Sequence, residues 1–161
     1  RVISPNEAYE SIHWQVIVLI AALIPLGIVI ESSGTAAYIA SSMIEYVDTY
    51  NPLIQPYILF ALIYFVTMVM TEVSSNTATA IIMTPIVIAI TGEMQLDSRP
   101  FIFAVCFAAS ASFSTPVGYQ TNLMVYGPGG YKFSDYIKVG IPLALTFWFL
   151  AILIIPLIWP F

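Results

Sequence analysis

Apolar residues run almost unbroken through five stretches of this chain, 14–30, 56–70, 78–91, 100–111 and 139–161, and polar positions gather between them. The first and last stretches reach the roughly 17–25 residues that carry a helix across a bilayer. The three middle runs are shorter and fit re-entrant or broken helices better than simple spans. The pattern predicts a long helix at 13–31, loosened around Pro25 and Gly27, with His13 and Trp14 at the membrane interface. Ser32-Ser33-Gly34 ends it. A more amphipathic helix follows at 35–49, with Glu45 and Asp48 near its end. It either lies along the interface or packs as a short span.

The stretch 56–91 read as one straight helix would be about 54 Å long. A hydrocarbon core measures only about 30 Å. A hairpin that enters, turns at Ser75-Asn76 and leaves on the same side fits that length. The connector 92–100 carries Glu93, Asp97 and Arg99 and is expected in water. Segment 100–126 is predicted as a helix unwound over 112–121, because Pro116 lacks an N–H and Gly118 admits angles closed to other residues. Gly127-Pro128-Gly129-Gly130-Tyr131-Lys132 reads as a turn, and 137–159 as a final span.

Composition sharpens this picture. Sixty per cent of the residues are apolar and 8% are charged, where soluble domains carry roughly a quarter charged. The chain reads as an all-α, polytopic integral membrane protein. Four Lys and Arg in total exclude a nucleic-acid surface. The lone Cys106 forms no internal disulfide and is expected as a small buried residue of its apolar run. No serine has a visible base partner, so an enzyme is not expected.

Residues 1–7 have none of the features of a signal peptide and no initiator Met, so the chain reads as an excerpt that begins in a loop. Lys132 and Lys138 place the loop 127–136 in the cytoplasm, at a plasma (inner) membrane. The order long helix, short helix, hairpin, broken helix, helix is one unit of the kind that transporters duplicate in inverted orientation. A second, N-terminal repeat is expected outside this sequence.

The two polar breaks carry the chemistry. Irregular polar backbone at membrane depth survives only against protein or a water-filled cavity, and paired interruptions point to a transporter's binding site. At the tip, Ser75, Asn76 and Thr77 open the second arm of the hairpin, whose N–H groups and dipole favour an anion. The first arm ends there with unpaired carbonyls that suit sodium, and Thr71, Ser74 and Asn76 add oxygens. Ser114-Thr115-Pro116-Val117-Gly118 supplies a second set of the same kind. The plainer reading is that Ser75, Asn76 and Thr77 only cap a helix, and that Pro116 only kinks one. Glu72, a carboxylate at membrane depth, reads either as a proton site or as a side chain bonded to backbone and hydroxyls within the bundle.

Thr71-Glu72-Val73-Ser74-Ser75-Asn76-Thr77-Ala78-Thr79-Ala80, then Thr115-Pro116-Val117-Gly118-Tyr119-Gln120-Thr121-Asn122, then Tyr126-Gly127-Pro128-Gly129-Gly130-Tyr131-Lys132-Phe133 resemble the divalent anion:sodium symporters of the ion transporter superfamily. The chain looks like their C-terminal repeat. The resemblance implies that Ser75, Asn76, Thr77, Thr115 and Pro116 bind the substrate. It also implies that Thr71, Ser74, Asn76, Ser114 and Gly118 hold sodium, the coupling ion. It further implies a homodimer in which a transport domain moves like an elevator, with 56–126 in the moving part. Gly118-Tyr119-Gln120-Thr121 differs from the dicarboxylate members and looks more like those described as sulfate permeases, which puts sulfate ahead of a dicarboxylate. Two other readings stay open. One is a proton-coupled carrier or cation/proton antiporter of the same superfamily that uses Glu72. The other is a non-transporting membrane subunit.

Overall fold

The computed structural model describes residues 5–12 and 14–161, so the interfacial role expected of His13 lies outside the described residues. Every regular element among them is a helix. A short α1 (Pro5–Glu10) stands where a loop was expected, with Pro5 in a first turn that needs no N–H from it. Next come α2 (Trp14–Ser32) and α3 (Thr35–Val47). Between them Gly34 adopts φ 76°, a left-handed angle that side chains disfavour. The two helices are bent there by 60°. The break thus falls at Ser33-Gly34, while the helix continues through Pro25 and Gly27.

The hairpin is formed by α4 (Gln55–Thr71) and α5 (Asn76–Glu93). Pro56 lies in the first turn of α4, where a missing N–H costs nothing. The connector to α6 (Ser98–Ala109) is closed by Asp97, whose carboxylate accepts the Arg99 N–H at 2.9 Å. Arg99 also forks onto the same carboxylate, with its Nη2 2.5 Å from Oδ2, and this holds the Asp97 acid below the usual carboxylate range. After α6 the chain is irregular from 110 to 119, slightly earlier than expected. It resumes as α7 (Gln120–Tyr126) and then α8 (Phe133–Ile158). The Asp135 carboxylate accepts the Lys132 N–H at 2.8 Å and fixes the start of α8.

α6 packs against both arms of the hairpin. Leu59, Phe60, Ile63 and Tyr64 from α4 meet Ile86, Val87 and Ile90 from α5 and Phe101, Ala104, Val105 and Ala108 from α6, all buried. Lipid tails are as apolar as these side chains, so close fit rather than escape from water holds such helices together. Ala104 and Ala108, one turn apart, let the backbones approach. α3 adds Ala36, Ala40 and Val47 against α5. α8 is fastened to α4 by the Trp148 indole N–H, which donates to the Ala61 carbonyl at 2.9 Å.

Among the described residues two helices, α5 and α8, are long and apolar enough to cross a membrane, or up to three spans if the bent α2–α3 pair counts as one. The outward side chains of α8 are apolar too, with Val139 70% and Leu157 81% exposed. An outer surface of that kind belongs in lipid, and the chain is an integral membrane protein. One expectation is corrected here. Cys106 is exposed, because α6 turns Phe101, Ala104, Val105 and Ala108 inward and leaves Cys106 and Phe107 on its outer side.

Candidate functional site

The tip of the hairpin spans residues 72–75, between the C-terminus of α4 and the N-terminus of α5. Ser75 sits in extended conformation and its hydroxyl accepts the Ala78 N–H at 3.2 Å, which starts α5. The hydroxyls of Ser74 and Thr79 lie 2.5 Å apart, and Ser74 also donates to the Met70 carbonyl at 3.1 Å. Thr71 is fully buried, with its hydroxyl 2.7 Å from both Asn76 Oδ1 and the Ala109 carbonyl. A hydroxyl has one hydrogen, so three oxygens meet there with one proton among them. A cation, or an Asn76 amide turned the other way, satisfies the third.

The irregular stretch 110–119 lies against this tip. Glu72 bridges the two. Its Oε1 accepts the Ser114 N–H at 2.8 Å, and its backbone carbonyl accepts the Thr115 hydroxyl at 3.0 Å. Ser112 donates to the Thr71 carbonyl at 3.3 Å. The carbonyls that end α4 are therefore occupied, not unpaired as expected: Met70 takes Ser74, Thr71 takes Ser112 and Glu72 takes Thr115. On the far side, the Asn122 amide donates to the carbonyls of Ser112 and Thr115 at 2.9 and 3.1 Å. Gly118 donates to the Thr115 hydroxyl at 3.0 Å and closes a tight turn around the buried Pro116.

The structure thus joins Thr71 to Asn76, and Glu72 to Ser114, Thr115 and, through Thr115, Gly118. Ser74 bonds within the hairpin instead, and Ser75 stays exposed at its cap. Thr77 is half-buried at the first turn of α5. Of the two roles weighed for Glu72, the bond to backbone is present; its other oxygen is buried without a hydrogen-bond partner. Ser112, Thr79 and the Ala109 carbonyl were not singled out from sequence. Ser112 and Thr79 lay inside the polar stretches, but a carbonyl has no signature in a sequence.

Clefts open beside the irregular stretch and beside α5. One, of about 340 Å³, is lined by Phe113, Asn122, Tyr131, Tyr136 and Gly140 and backs onto the irregular stretch. The other, of about 500 Å³, runs between α2 and α5 past Gly27, Glu31 and Pro85. Neither is lined by Ser75, Asn76 or Thr77. At the tip itself Val73 and Ser75 are exposed.

Residues 1–90 and 55–161 match the family described as citrate transporters. An uncharacterized transporter of Synechocystis is 43% identical over 157 residues, covering 98% of this chain and 25% of its own length. An uncharacterized transporter of Escherichia coli is 34% identical over 161 residues, 100% of this chain and 26% of its own. Sodium/sulfate cotransporter 2 of Chlamydomonas reinhardtii is 33% identical over 138 residues, 85% of this chain and 15% of its own. The chain spans about a quarter of the first two and less of the third.

Proposed function

From the premise that the chain belongs to the citrate transporter family, we propose that it forms one half of a sodium-coupled symporter for a divalent anion, sulfate ahead of a dicarboxylate. The observation that carries this reading is the union of the two polar breaks. Thr71 and Glu72 at the end of α4 bond to Ala109, Ser112, Ser114 and Thr115 across the hairpin. One backbone cluster thereby gathers a helix N-terminus and many oxygens without a Lys or Arg.

In this proposal Ser75, Asn76 and Thr77, with the N–H groups of α5, face the anion. Thr115 and Pro116 border it from the break. Sodium takes oxygens of Thr71, Ser74, Asn76, Ser114 and Gly118. The Thr71 hydroxyl, Asn76 Oδ1 and the Ala109 carbonyl, three oxygens with one proton among them, support a cation there. Sodium follows from hard-ion preference for oxygen. The Chlamydomonas relatives named as sodium/sulfate cotransporters support the same ion and substrate class.

The exposed tip calls for a second wall, and an inverted N-terminal repeat supplies it in this proposal. The hairpin is then re-entrant, residues 56–126 move as an elevator against a scaffold, and two protomers pair. The loop 127–136 faces the cytoplasm, at the plasma membrane. The test is uptake of labelled sulfate and labelled succinate by the full-length protein in proteoliposomes, with an inward sodium gradient against a potassium control. Sodium-dependent uptake of either anion is expected, and uptake of neither by folded protein overturns the proposal.

A further inference from the structure

The turn Gly127-Pro128-Gly129-Gly130-Tyr131 and the start of α8 take no part in the site described above. Gly130 adopts φ 63°, and a Cβ on Gly129 would overlap the Tyr131 ring. Glycine at both positions lets the turn fold Tyr131 back on itself. Tyr131 then meets Tyr136 edge to face, with ring centres 6.2 Å apart, and Tyr136 meets Tyr126 at 6.0 Å. Three tyrosines, from α7, the turn and α8, are thereby gathered at one end of a membrane-crossing helix.

Tyr131 and Tyr136 line the cleft of about 340 Å³, and Asp135 lies between them in its wall. Asp135 Oδ2 accepts the Lys132 N–H. Its other oxygen has no hydrogen bond and no ion pair among the described residues. Lys132 and Lys138 are exposed and line no part of the cleft, so the one formal charge in its wall is negative. From this polar end the cleft follows α8 past Val139 to Leu143, about 12 Å along the helix. It opens on the apolar outer surface of α8, where Val139 is 70% exposed.

One end therefore offers aromatic rings and an unmatched carboxylate, and the other offers hydrocarbon. A ligand that suits both has a cationic head and an apolar tail. Tyrosine faces attract an ammonium group, and clusters of aromatic rings are a known means of holding one. The free carboxylate oxygen accepts an N–H, which a primary ammonium donates and a quaternary one lacks. We infer that the cleft binds a membrane phospholipid with an ethanolamine head. Its ammonium sits between Asp135 and the rings of Tyr131 and Tyr136, and an acyl chain lies along Val139 and Leu143. The site uses none of the groups proposed for sodium or the anion, so it stands whether or not sodium drives transport.

The test is native mass spectrometry of the purified, delipidated full-length protein. It is titrated with phosphatidylethanolamine, phosphatidylcholine and phosphatidylglycerol of the same acyl chains, for the wild type, Asp135→Asn and Val139→Trp. The ethanolamine lipid is expected to bind the wild type about tenfold more tightly than the choline lipid, the effect of one hydrogen bond to a charged group. The glycerol lipid, with no cation in its head, binds more weakly still. Asp135→Asn keeps an oxygen for the Lys132 N–H, so α8 starts as before, but ethanolamine and choline lipids bind it alike. Val139→Trp, at an exposed position, fills the groove and weakens all three.

Equal binding of the three lipids to the wild type overturns the inference and leaves the tyrosines as an interfacial belt. A wild type that binds none of them shows the cleft covered by the rest of the protein, which overturns it as well. So does a preference for the ethanolamine lipid undiminished in Asp135→Asn. Should that variant fail to fold, Val139→Trp decides, and wild-type affinity in it overturns the site.

Discussion

The hairpin tip and the irregular stretch after α6 both interrupt apolar helix with polar sequence, yet they are held in opposite ways. The tip closes on its own neighbours. Ser75 caps at Ala78, Ser74 bonds to Met70 and Thr79, and Thr71 reaches Asn76, all within a few residues along the chain. The stretch 110–119 takes most of its order from elsewhere: from Thr71 and Glu72 more than 40 positions earlier, and from Asn122 beyond it. Behind it, Gly140 of α8 packs so closely that a Cβ there would overlap the Phe113 carbonyl group and lie 2.6 Å from Ser114 Cα. A tip that shapes itself and a break shaped by the tip are expected to move as one body. The proposed moving transport unit requires this.

The comparison is broken most severely by Asn76→Ala. It removes the one side chain that serves both the first turn of α5 and the buried Thr71 hydroxyl. In the proposed site Asn76 also contacts the ions, and losing a hydrogen bond to a charged partner costs about 1.5–3 kcal/mol, so sodium-driven uptake by the full-length protein should fall roughly 10–100-fold, with membrane insertion unchanged. Uptake at the wild-type rate would reduce the tip to a helix cap.

Gly118→Ala attacks the break instead. Its Cβ meets Ser112 Oγ, and overpacking of that kind costs about 1–3 kcal/mol. A lowered melting temperature together with reduced uptake is expected. An unchanged melting temperature would show that the Ser112 side chain yields.

Ser75→Gly separates the two duties of the tip. Glycine replaces a Ser cap at a cost of only a few tenths of a kcal/mol, so stability should hold. Uptake should still drop about tenfold if the hydroxyl contacts the anion, the loss of one modest hydrogen bond. Equal, small changes in both would favour capping alone.

The smallest effect is expected far from both breaks, at Asp97→Asn. Arg99 lowers the acid's folded pKa, so the charged pair contributes at neutral pH and above the unfolded value. That contribution fades as pH falls through the lowered folded value. The pair is exposed, so a melting curve of the variant should match the wild type at pH 7 within error and lose only the faint acid dependence.

How far each region could be read in advance follows the same contrast. The tip was legible because its determinants are local: Ser75 and Asn76 between two apolar arms, in a segment too long for one crossing. α6 and α8 start at Ser98 and Phe133, before the expected 100 and 137, where the Asp97 and Asp135 carboxylates take backbone N–H groups. The break at 110–119 was legible only as a break, from Pro116 and Gly118. Nothing in a sequence says that Asn122 turns back to two carbonyls, or that Glu72 spans to Ser114. Those bonds are made between segments, and composition constrains them weakly. The phase of α6 was hidden for a related reason. Phe101 to Ala109 is apolar all round, so the outward placement of Cys106 is decided by packing against α4 and α5. The bend at Ser33-Gly34, not at Pro25, shows a left-handed glycine ending a helix that a proline had left intact.

The claim that the tip and the break together make the anion site is tested most directly by sodium-dependent binding of labelled sulfate to the purified full-length protein, comparing wild type with Asn76→Ala and Thr115→Ala. Binding that needs sodium in the wild type, and is lost in both variants while each remains folded, is the predicted result. Sulfate binding that survives both substitutions, or that ignores sodium, would contradict it.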